Sequence, residues 1–306
     1  MGAPHEQGVP IQPLGAVLVF YSLTWSPDGK TLAAGAYHQT NLIDSATRQP
    51  IATLPNAAEA VRAVAFSPDG KLLAAAGGRP ARKGEIQIWD VAARTVVRTI
   101  AGHADCIYAI SFSPEGTMLA TTSYDKLIKF WDTATGREIR TLKDHIDAVY
   151  ALAFTPDGKR LITGAADRSV KVWDVASGER LYTVSDATDG INTLAVSPDG
   201  HRVAAAGQDK SIRIWSLGEK EATLEHSVIA HEDAILKVAW SPDGKYLASA
   251  SADRTIRLFR ASDLTEIRTI PHLADWPLGL SFSPESHSLA AALFNGTLTF
   301  QEVTHE

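Results

Sequence analysis

The tetrapeptide SPDG at residues 26–29 recurs along the chain, and this repeat decides the architecture. Copies or close variants stand at 67–70, 113–116, 155–158, 197–200, 241–244 and 283–286, so the spacings are 41, 46, 42, 42, 44 and 42 residues. A nearly constant period of this length indicates stacked copies of one supersecondary unit. Length alone would suggest about two domains. Because the copies extend over almost all of the 306 residues, we expect a single repeat domain over residues 1–306.

Each copy of the tetrapeptide predicts a tight turn between two β-strands. Proline suits the second position of a type I turn, aspartate the third and glycine the fourth. Apolar runs flank the turn, as in VRAVAF (61–66) and KLLAAAG (71–77), and a third run ends in an aromatic residue, as in IKFWD (128–132). The alanine and leucine content would also permit short helices, but runs of this length favour strands. With a weaker fourth strand, the pattern predicts an all-β fold of seven four-stranded sheets around an axis.

These residues resemble the WD40-repeat family. Trp89-Asp90, Trp131-Asp132 and Trp173-Asp174 match its Trp-Asp dipeptide, and Gly102-His103 matches its Gly-His dipeptide. The first and last repeats depart from the pattern, with NLIDSA (41–46) and with Ser286 in place of the turn glycine. The resemblance implies a seven-bladed β-propeller, with blades at about 17–55, 56–101, 102–143, 144–186, 187–230, 231–271 and 272–306 plus 9–14.

The N-terminal segment VPIQPL (9–14) stands at the offset of a fourth strand, whereas the last repeat stops after its third strand. We therefore expect residues 9–14 to complete the last blade and to close the ring. Such closure would remove an open sheet edge, which otherwise promotes aggregation.

His103, Ser123 and Asp125 have the residue types of a hydrolase triad. Equivalent residues recur in other repeats, and the chain contains no G-x-S-x-G nucleophile elbow. A triad needs one complete set with an exposed nucleophile. The recurrence therefore favours a structural role, and we expect no enzymatic activity and no catalytic residue.

In WD40 proteins, a histidine, a serine or threonine, an aspartate and a tryptophan form a buried hydrogen-bonded tetrad. The resemblance implies one complete tetrad and two incomplete ones, the latter with Ala165 in place of the serine and Phe259 in place of the tryptophan. The predicted members are His103, Ser123, Asp125 and Trp131; His145, Asp167 and Trp173; and His231, Ser251 and Asp253.

Composition limits the other classes of function. The net charge of −6 argues against a nucleic-acid partner, and a single cysteine, Cys106, excludes an internal disulfide framework. No phosphate-binding loop, zinc-ligand spacing or long apolar segment is present, so we expect no cofactor, no metal and no membrane contact. The N-terminus lacks the pattern of a secretory signal. We therefore expect a monomeric, cytoplasmic protein.

The resemblance implies that partners dock on one face of the ring, around its central channel. Side chains on this face are expected five or seven residues before each Ser/Thr-Pro turn. They are also expected just before the aspartate that follows the second strand, as Tyr124 precedes Asp125. These positions give the candidate binding residues Tyr21, Arg62, Tyr108, Tyr124, Tyr150, Asn192, Gln208, Leu236, Trp276, Leu278 and Phe294. Tyrosine and tryptophan are typical anchors of interfaces, although some of these rings could instead pack inside the blades.

The insertion GGRPARKGE (77–85) explains the 46-residue spacing and carries Arg79, Arg82 and Lys83. It could bind an acidic or phosphorylated peptide together with Arg62, or it could be a solvated loop.

The sequence thus predicts a non-enzymatic scaffold that binds a protein or peptide partner. Two alternatives stay open. The chain could be the WD40 module of a larger protein whose activity lies elsewhere, or a propeller that binds a small ligand or acts as an enzyme in its central channel. The second alternative would require converging histidine or carboxylate side chains at the channel mouth, which the candidate positions do not supply.

Overall fold

The computed structural model describes residues 9–10 and 19–303. These residues form β-strands and no helix. The first seven strands are β1 (Val9–Pro10), β2 (Phe20–Trp25), β3 (Thr31–Asp44), β4 (Pro50–Phe66), β5 (Leu72–Arg79), β6 (Lys83–Asp90) and β7 (Thr95–His103).

The following repeats contribute four strands each. They are β8 (Ile107–Phe112), β9 (Met118–Ser123), β10 (Leu127–Asp132), β11 (Glu138–Lys143), β12 (Val149–Phe154), β13 (Arg160–Ala165), β14 (Val170–Asp174), β15 (Arg180–Val184), β16 (Ile191–Val196), β17 (Arg202–Gly207), β18 (Ser211–Leu217), β19 (Ala222–Ile229), β20 (Ile235–Trp240), β21 (Tyr246–Ser251), β22 (Ile256–Arg260) and β23 (Glu266–Ile270). The chain continues with β24 (Pro277–Phe282), β25 (Ser288–Leu293) and β26 (Thr297–Glu302).

The prediction of seven blades is wrong, because the described strands form six hydrogen-bonded sheets. Five sheets have four strands, and one has six strands in the order β2-β3-β4-β5-β6-β7. Strand β3 is 14 residues long and β4 is 17 residues long, and Tyr37 of β3 pairs with Ala60 of β4. These long strands join the first two repeats into one blade, so seven copies of the turn share six blades.

The first strand of each repeat lies innermost. Strands β2, β8, β12, β16, β20 and β24 and the C-terminal half of β4 contact one another in turn, and β24 contacts β2. These innermost segments surround a central channel. The ring is therefore closed by contacts between the first and last repeats.

The N-terminal strand β1 pairs with the last strand, β26. Val9 lies opposite Leu298 and Pro10 opposite Thr297, in antiparallel register. The last sheet thus has the order β1-β26-β25-β24, as expected from the offset of this segment. The rest of the predicted closing segment, 11–14, lies outside the described residues.

The recurrent tetrapeptide forms the turn between the first and second strands of each repeat. In the first copy, the Gly29 amide donates to the Ser26 carbonyl at 2.9 Å, and the Ser26 hydroxyl donates to Asp28 at 2.7 Å. Gly29 has a φ of 69°, a left-handed value that glycine adopts without strain. In the last copy Ser286 adopts a φ of 63°, so the missing glycine does not alter the turn.

The hydrophobic core consists of side chains that the alternating strand pattern places between adjacent sheets. Phe130 of β10 and Phe154 of β12 belong to one such cluster, and their ring centres are 6.2 Å apart. Trp131 of the same strand packs in the neighbouring cluster with Ile107 and Phe112. Successive residues of one strand therefore stabilise successive interfaces around the ring.

Candidate partner-binding face

A β-bulge interrupts every innermost segment at the same position. The register with the next strand shifts across a single residue that lies five residues before the Ser/Thr-Pro turn. The seven bulge residues are Tyr21, Arg62, Tyr108, Tyr150, Asn192, Leu236 and Leu278. A bulge turns one side chain away from the regular alternation of the strand. The repeat thus presents seven variable side chains in equivalent places.

The seven bulge residues converge on one cavity at the mouth of the central channel. Its volume is about 270 Å³, and Gln208 and Lys237 complete its lining. All seven bulge residues are half-buried. We call this space the mouth cavity. A second cavity of about 170 Å³ shares Arg62, Tyr108, Tyr150, Asn192 and Lys237 with it. That second space, the channel cavity, is otherwise lined by residues further along the innermost strands.

Aromatic side chains and one arginine form a continuous arc around the mouth cavity. The rings of Tyr108 and Tyr150 meet edge to face with centres 4.9 Å apart, and Tyr124 lies 6.4 Å from Tyr108. Arg62 lies over both Tyr108 and Tyr21, at 5.0 Å and 5.5 Å from the ring centres. These contacts are in the range of cation–π interactions.

The arc continues beyond Tyr21 to the last repeat. Phe294 lies 6.2 Å from Tyr21, and Trp276 lies 6.2 Å from Phe294. Arg62 therefore joins two aromatic groups that are far apart in the sequence. Tyr124 and Trp276 stand at the two ends of the arc, and each is 49% exposed.

Burial raises the pKa of two tyrosine hydroxyls of the cavity. Desolvation, and then the neighbouring Tyr108, raises the pKa of Tyr150 to about 12. Desolvation also raises the pKa of Tyr108, against the opposing effect of Arg62. Both phenols thus stay protonated at neutral pH and can donate or accept a hydrogen bond.

The rim residues are held by a backbone hydrogen bond that recurs with the repeat. The amides of Tyr124, Gln208 and Phe294 donate to the carbonyls of Cys106, Gly190 and Trp276 at 3.0, 2.9 and 2.9 Å. The backbone alone makes this bond, so the fold does not constrain the side chain at the rim position. Gln208 donates to Asn192 at 3.3 Å, and Asn192 donates to the carbonyl of Ile235 at 2.9 Å.

Sequence reasoning missed two residues of this face. Tyr37 occupies in the first repeat the position that Tyr124 occupies in the third, and it is 51% exposed with its ring against His38. Tyr37 follows Ser26 at the same distance in the sequence at which Tyr124 follows Ser113, so this offset from the turn would have identified it. Lys237 lines both cavities. The corresponding residue in the other repeats is small (Ser22, Ala63, Ala109, Ala151, Thr193 or Gly279), and that contrast was the available signal.

The predicted triad residues belong to hydrogen-bond networks inside the blades. Asp125 contacts Nδ1 of His103 at 2.9 Å, and Nε2 of His103 contacts the hydroxyl of Thr121 at 2.8 Å. The indole N–H of Trp131 donates to the same hydroxyl at 2.8 Å. Thr121 is fully buried. These hydrogen bonds link three strands, and the hydroxyl of Thr121 is not exposed to act as a nucleophile.

Ser123 does not supply the hydroxyl of this network, although the resemblance to the WD40 family implied that it would. Its hydroxyl donates to the carbonyl of Asp105 at 3.1 Å and accepts the amide of Asp125 at 3.1 Å. Residues 121 and 123 share one face of β9 because side chains alternate along a strand. The pairing of Trp131 with Leu119 brings Thr121 within reach of the indole.

The fourth repeat has a complete network that sequence reasoning treated as incomplete. Thr163 lies 2.9 Å from Nε2 of His145 and accepts the indole N–H of Trp173 at 2.9 Å, while Asp167 contacts Nδ1 at 2.8 Å. Burial alone would raise the pKa of Asp167, but hydrogen bonds from His145 and Ser169 hold it well below its usual range. The absence of a hydroxyl at Ala165 therefore has no effect on this network.

In the sixth repeat the hydroxyl belongs to Ser249 rather than Ser251. Ser249 lies 2.7 Å from Nε2 of His231, and Asp253 contacts Nδ1 at 3.0 Å. Ser251 donates to the carbonyls of Asp233 and Ala234, both at 3.0 Å. Desolvation lowers the pKa of His231 despite the opposing charge of Asp253.

Two of the three cations of the basic insertion are paired with carboxylates. Arg79 forms an ion pair with Glu59 at 2.5 Å, and Lys83 forms one with Glu85 at 3.1 Å. Both cations are neutralised locally, and the side chain of Arg62 lies in the mouth cavity instead. Of the two interpretations of the insertion, these contacts favour the solvated loop.

A sequence comparison places the repeats in a known family. The profile of the WD40 family (WD domain, G-beta repeat) matches residues 48–90, 94–132, 136–174, 178–216 and 222–260, which is more than half of the chain. The protein belongs to the WD40-repeat family. Propellers of this family are in general non-enzymatic scaffolds for protein interactions. No curated protein matches the chain.

Residues 9–10 and 19–303 contain neither a metal-binding cluster nor a membrane-spanning helix. No three His, Cys, Asp or Glu side chains are grouped so that they could hold a metal ion. No helix in this part of the chain is long and apolar enough to cross a membrane.

Proposed function

We propose that this WD40 protein is a scaffold that binds a protein or peptide partner at the face formed by the mouth cavity and its aromatic arc. The observation that carries the proposal is the convergence of seven bulge side chains on one cavity. The backbone geometry repeats, whereas the side chains at these positions vary, as a surface specific for one partner requires. We call this surface the bulge face.

The composition of the bulge face supports a protein or peptide ligand. Tyrosine and tryptophan bury a large area at low entropic cost and have a polar group for orientation. Tyr108, Tyr150 and Trp276 provide such groups at points spread around the arc. The mouth cavity is open to solvent at its rim, and it can receive a side chain of a partner that covers the rim.

The alternative of an enzyme or a small-ligand binder in the central channel has less support. None of the described residues that line the two cavities is Asp, Glu or His. General acid–base catalysis relies chiefly on such groups. The cytoplasmic location and the monomeric state stay predictions from the sequence.

Affinity capture from an extract of the source cells tests the proposal. The combined replacement of Tyr108, Tyr150 and Trp276 by alanine should abolish partner capture while the thermal unfolding of the ring is retained. The matched control replaces Val97, Ile139 and Leu181, which are 45%, 48% and 41% exposed on the outermost strands of three repeats. Capture by the control variant should equal that of the unmodified protein. Full capture by the Tyr108, Tyr150 and Trp276 variant would refute the proposal.

A further inference from the structure

Two cationic side chains of the bulge face have no carboxylate partner among the described residues. Arg62 lines both cavities, and its Nε is shielded from solvent without a hydrogen bond. Lys237 follows the bulge residue Leu236 and also lines both cavities. Neither side chain takes part in the ion pairs found among residues 9–10 and 19–303, and Arg62 makes a hydrogen bond to the uncharged thiol of Cys106.

Three other poorly exposed cations of the protein are paired with carboxylates. The side chains of Lys171, Arg213 and Lys129 are 8%, 10% and 12% exposed, and they contact Asp144, Asp209 and Glu138 at 3.0, 2.7 and 2.6 Å. This is the usual condition, because a charge removed from water is costly without a counter-charge. Arg62 and Lys237 depart from it at the one place where seven side chains converge.

The described surroundings of the two cations supply no carboxylate to neutralise them. No acidic side chain lies in the lining of either cavity as the structure describes it. The rings of Tyr21 and Tyr108 hold the guanidinium of Arg62 from either side. Burial lowers the pKa of Lys237, with no opposing contribution from a neighbouring acid.

Arg62 and Lys237 stand on different sides of the channel. In the ring of innermost strands, β8, β12 and β16 separate them in one direction, and β24 and β2 separate them in the other. A group that enters the channel from the mouth therefore passes between a guanidinium and an ammonium. Both are donors only, and both match an oxyanion.

We propose that the mouth cavity binds the carboxylate of an acidic side chain, aspartate or glutamate, that a peptide partner inserts between Arg62 and Lys237. This inference rests on the proposed function and specifies the chemistry of its ligand. A carboxylate is the oxyanion that peptides carry without modification. The tyrosine hydroxyls of the arc and the amide of Asn192 supply neutral polar groups around it.

Thermal unfolding in the presence of succinate tests the anion site without knowledge of the partner. A ligand that binds only the folded state raises the unfolding temperature, by an amount that grows with the logarithm of one plus the ratio of its concentration to its dissociation constant. At constant ionic strength, with chloride as the reference salt, succinate should stabilise the unmodified protein. Arg62→Gln and Lys237→Met should each weaken the apparent affinity about tenfold, the usual loss for a charged hydrogen bond.

Lys71→Met is the matched control. Lys71 is 79% exposed beside Asp69 in the second tetrapeptide turn and has no contact with either cavity. It should respond to succinate as the unmodified protein does. An equal response of all four proteins, or no response of the unmodified protein, would overturn the proposal. The unfolding temperatures in chloride alone show whether each variant is folded.

Selection from a random heptapeptide library identifies the source of the carboxylate. The unmodified protein should enrich peptides with aspartate or glutamate at a shared position, and Lys237→Met should lose that preference. Enriched peptides without an acidic preference would refute this inference and leave the proposed function intact. Stabilisation by succinate without any enriched peptide would contradict a peptide as the source of the carboxylate.

Discussion

The guanidinium of Arg62 lies 5.0 Å from the ring centre of Tyr108, and both residues are bulge residues of adjacent innermost strands. This contact joins the aromatic residues of the third and fourth repeats to those of the first and last. It exists because the bulge turns each side chain toward the channel rather than into a blade. The bulge face thus consists of side chains that the packing of the blades does not require.

Tyr108→Ala and Tyr150→Ala should each lower the free energy of unfolding by less than about 1 kcal/mol, because both side chains are half-exposed at a cavity. Phe130→Ala should cost about 3–5 kcal/mol, because that ring is buried between two sheets. Chemical denaturation of the three variants measures the difference. A cost for Tyr108→Ala as large as that for Phe130→Ala would mean that the arc belongs to the core.

Thr121→Ala should destabilise the protein by about 2–3 kcal/mol, because it leaves the ring of His103 and the indole of Trp131 without their shared partner. Thr121→Ser keeps the hydroxyl and should cost about 1 kcal/mol or less. Ser123→Ala removes one bond to a carbonyl and should cost about 1 kcal/mol. Denaturant unfolding of the three variants gives the order, and a larger loss for Ser123→Ala than for Thr121→Ala would contradict the assignment.

The difference between Thr121 and Ser123 shows how far the sequence determines this molecule. The period of the Ser-Pro-Asp-Gly turn predicts the strands and the turns, and the resemblance to WD40 repeats supplies the offsets of the residues on the binding face. It does not choose between two hydroxyls on one face of a strand, because that choice depends on cross-strand register. Nor does it reveal that β3 and β4 are long enough to join two repeats into one blade.

The bulge face illustrates a second limit. The offset from the turn, which the resemblance to WD40 repeats implied, named all seven bulge residues as candidate binding residues, because equivalent positions in a repeat occupy equivalent places. It could not show that Arg62 touches two tyrosines from other repeats, since those contacts depend on side-chain direction. The offsets did not include Lys237, because it lies one residue after the bulge residue Leu236. At that position, the alternation of the strand is expected to place a small side chain against the next blade.

Trp89 offers a way to stabilise the second repeat. Its indole nitrogen is buried without a hydrogen-bond partner. Trp89 pairs with Leu73 as Trp131 pairs with Leu119, so Ala75 occupies the position of Thr121. Ala75→Ser should supply the missing acceptor and raise the free energy of unfolding by about 0.5–1.5 kcal/mol. Ala33→Ser, at a buried position of the first repeat, is the control and should give no increase in thermal unfolding temperature.

The buried aspartates predict a loss of stability in acid. Burial would raise the pKa of Asp167, yet the hydrogen bonds from His145 and Ser169 hold it well below the ordinary 3.8. Below that ordinary value, the unfolded chain takes up a proton that the folded protein does not bind. The stabilisation is therefore complete above about pH 4 and is lost as the pH falls further.

Asp167→Asn should lower the free energy of unfolding at pH 7 by about 2 kcal/mol and flatten its decline below pH 4. Glu179→Gln, at an exposed turn, is the control and should leave both the stability and its pH dependence unchanged. Urea unfolding between pH 2 and pH 7 measures both quantities. An equally steep decline in Asp167→Asn would show that this carboxylate does not contribute.

Hydrogen–deuterium exchange of the protein with and without its captured partner tests the bulge face most directly. The account predicts slower exchange in the peptides that contain Tyr108, Tyr124 and Trp276, with no change in the outermost strands β7 and β11. Protection confined to the Ser-Pro-Asp-Gly turns or to the outermost strands, with the bulge residues unaffected, would contradict it.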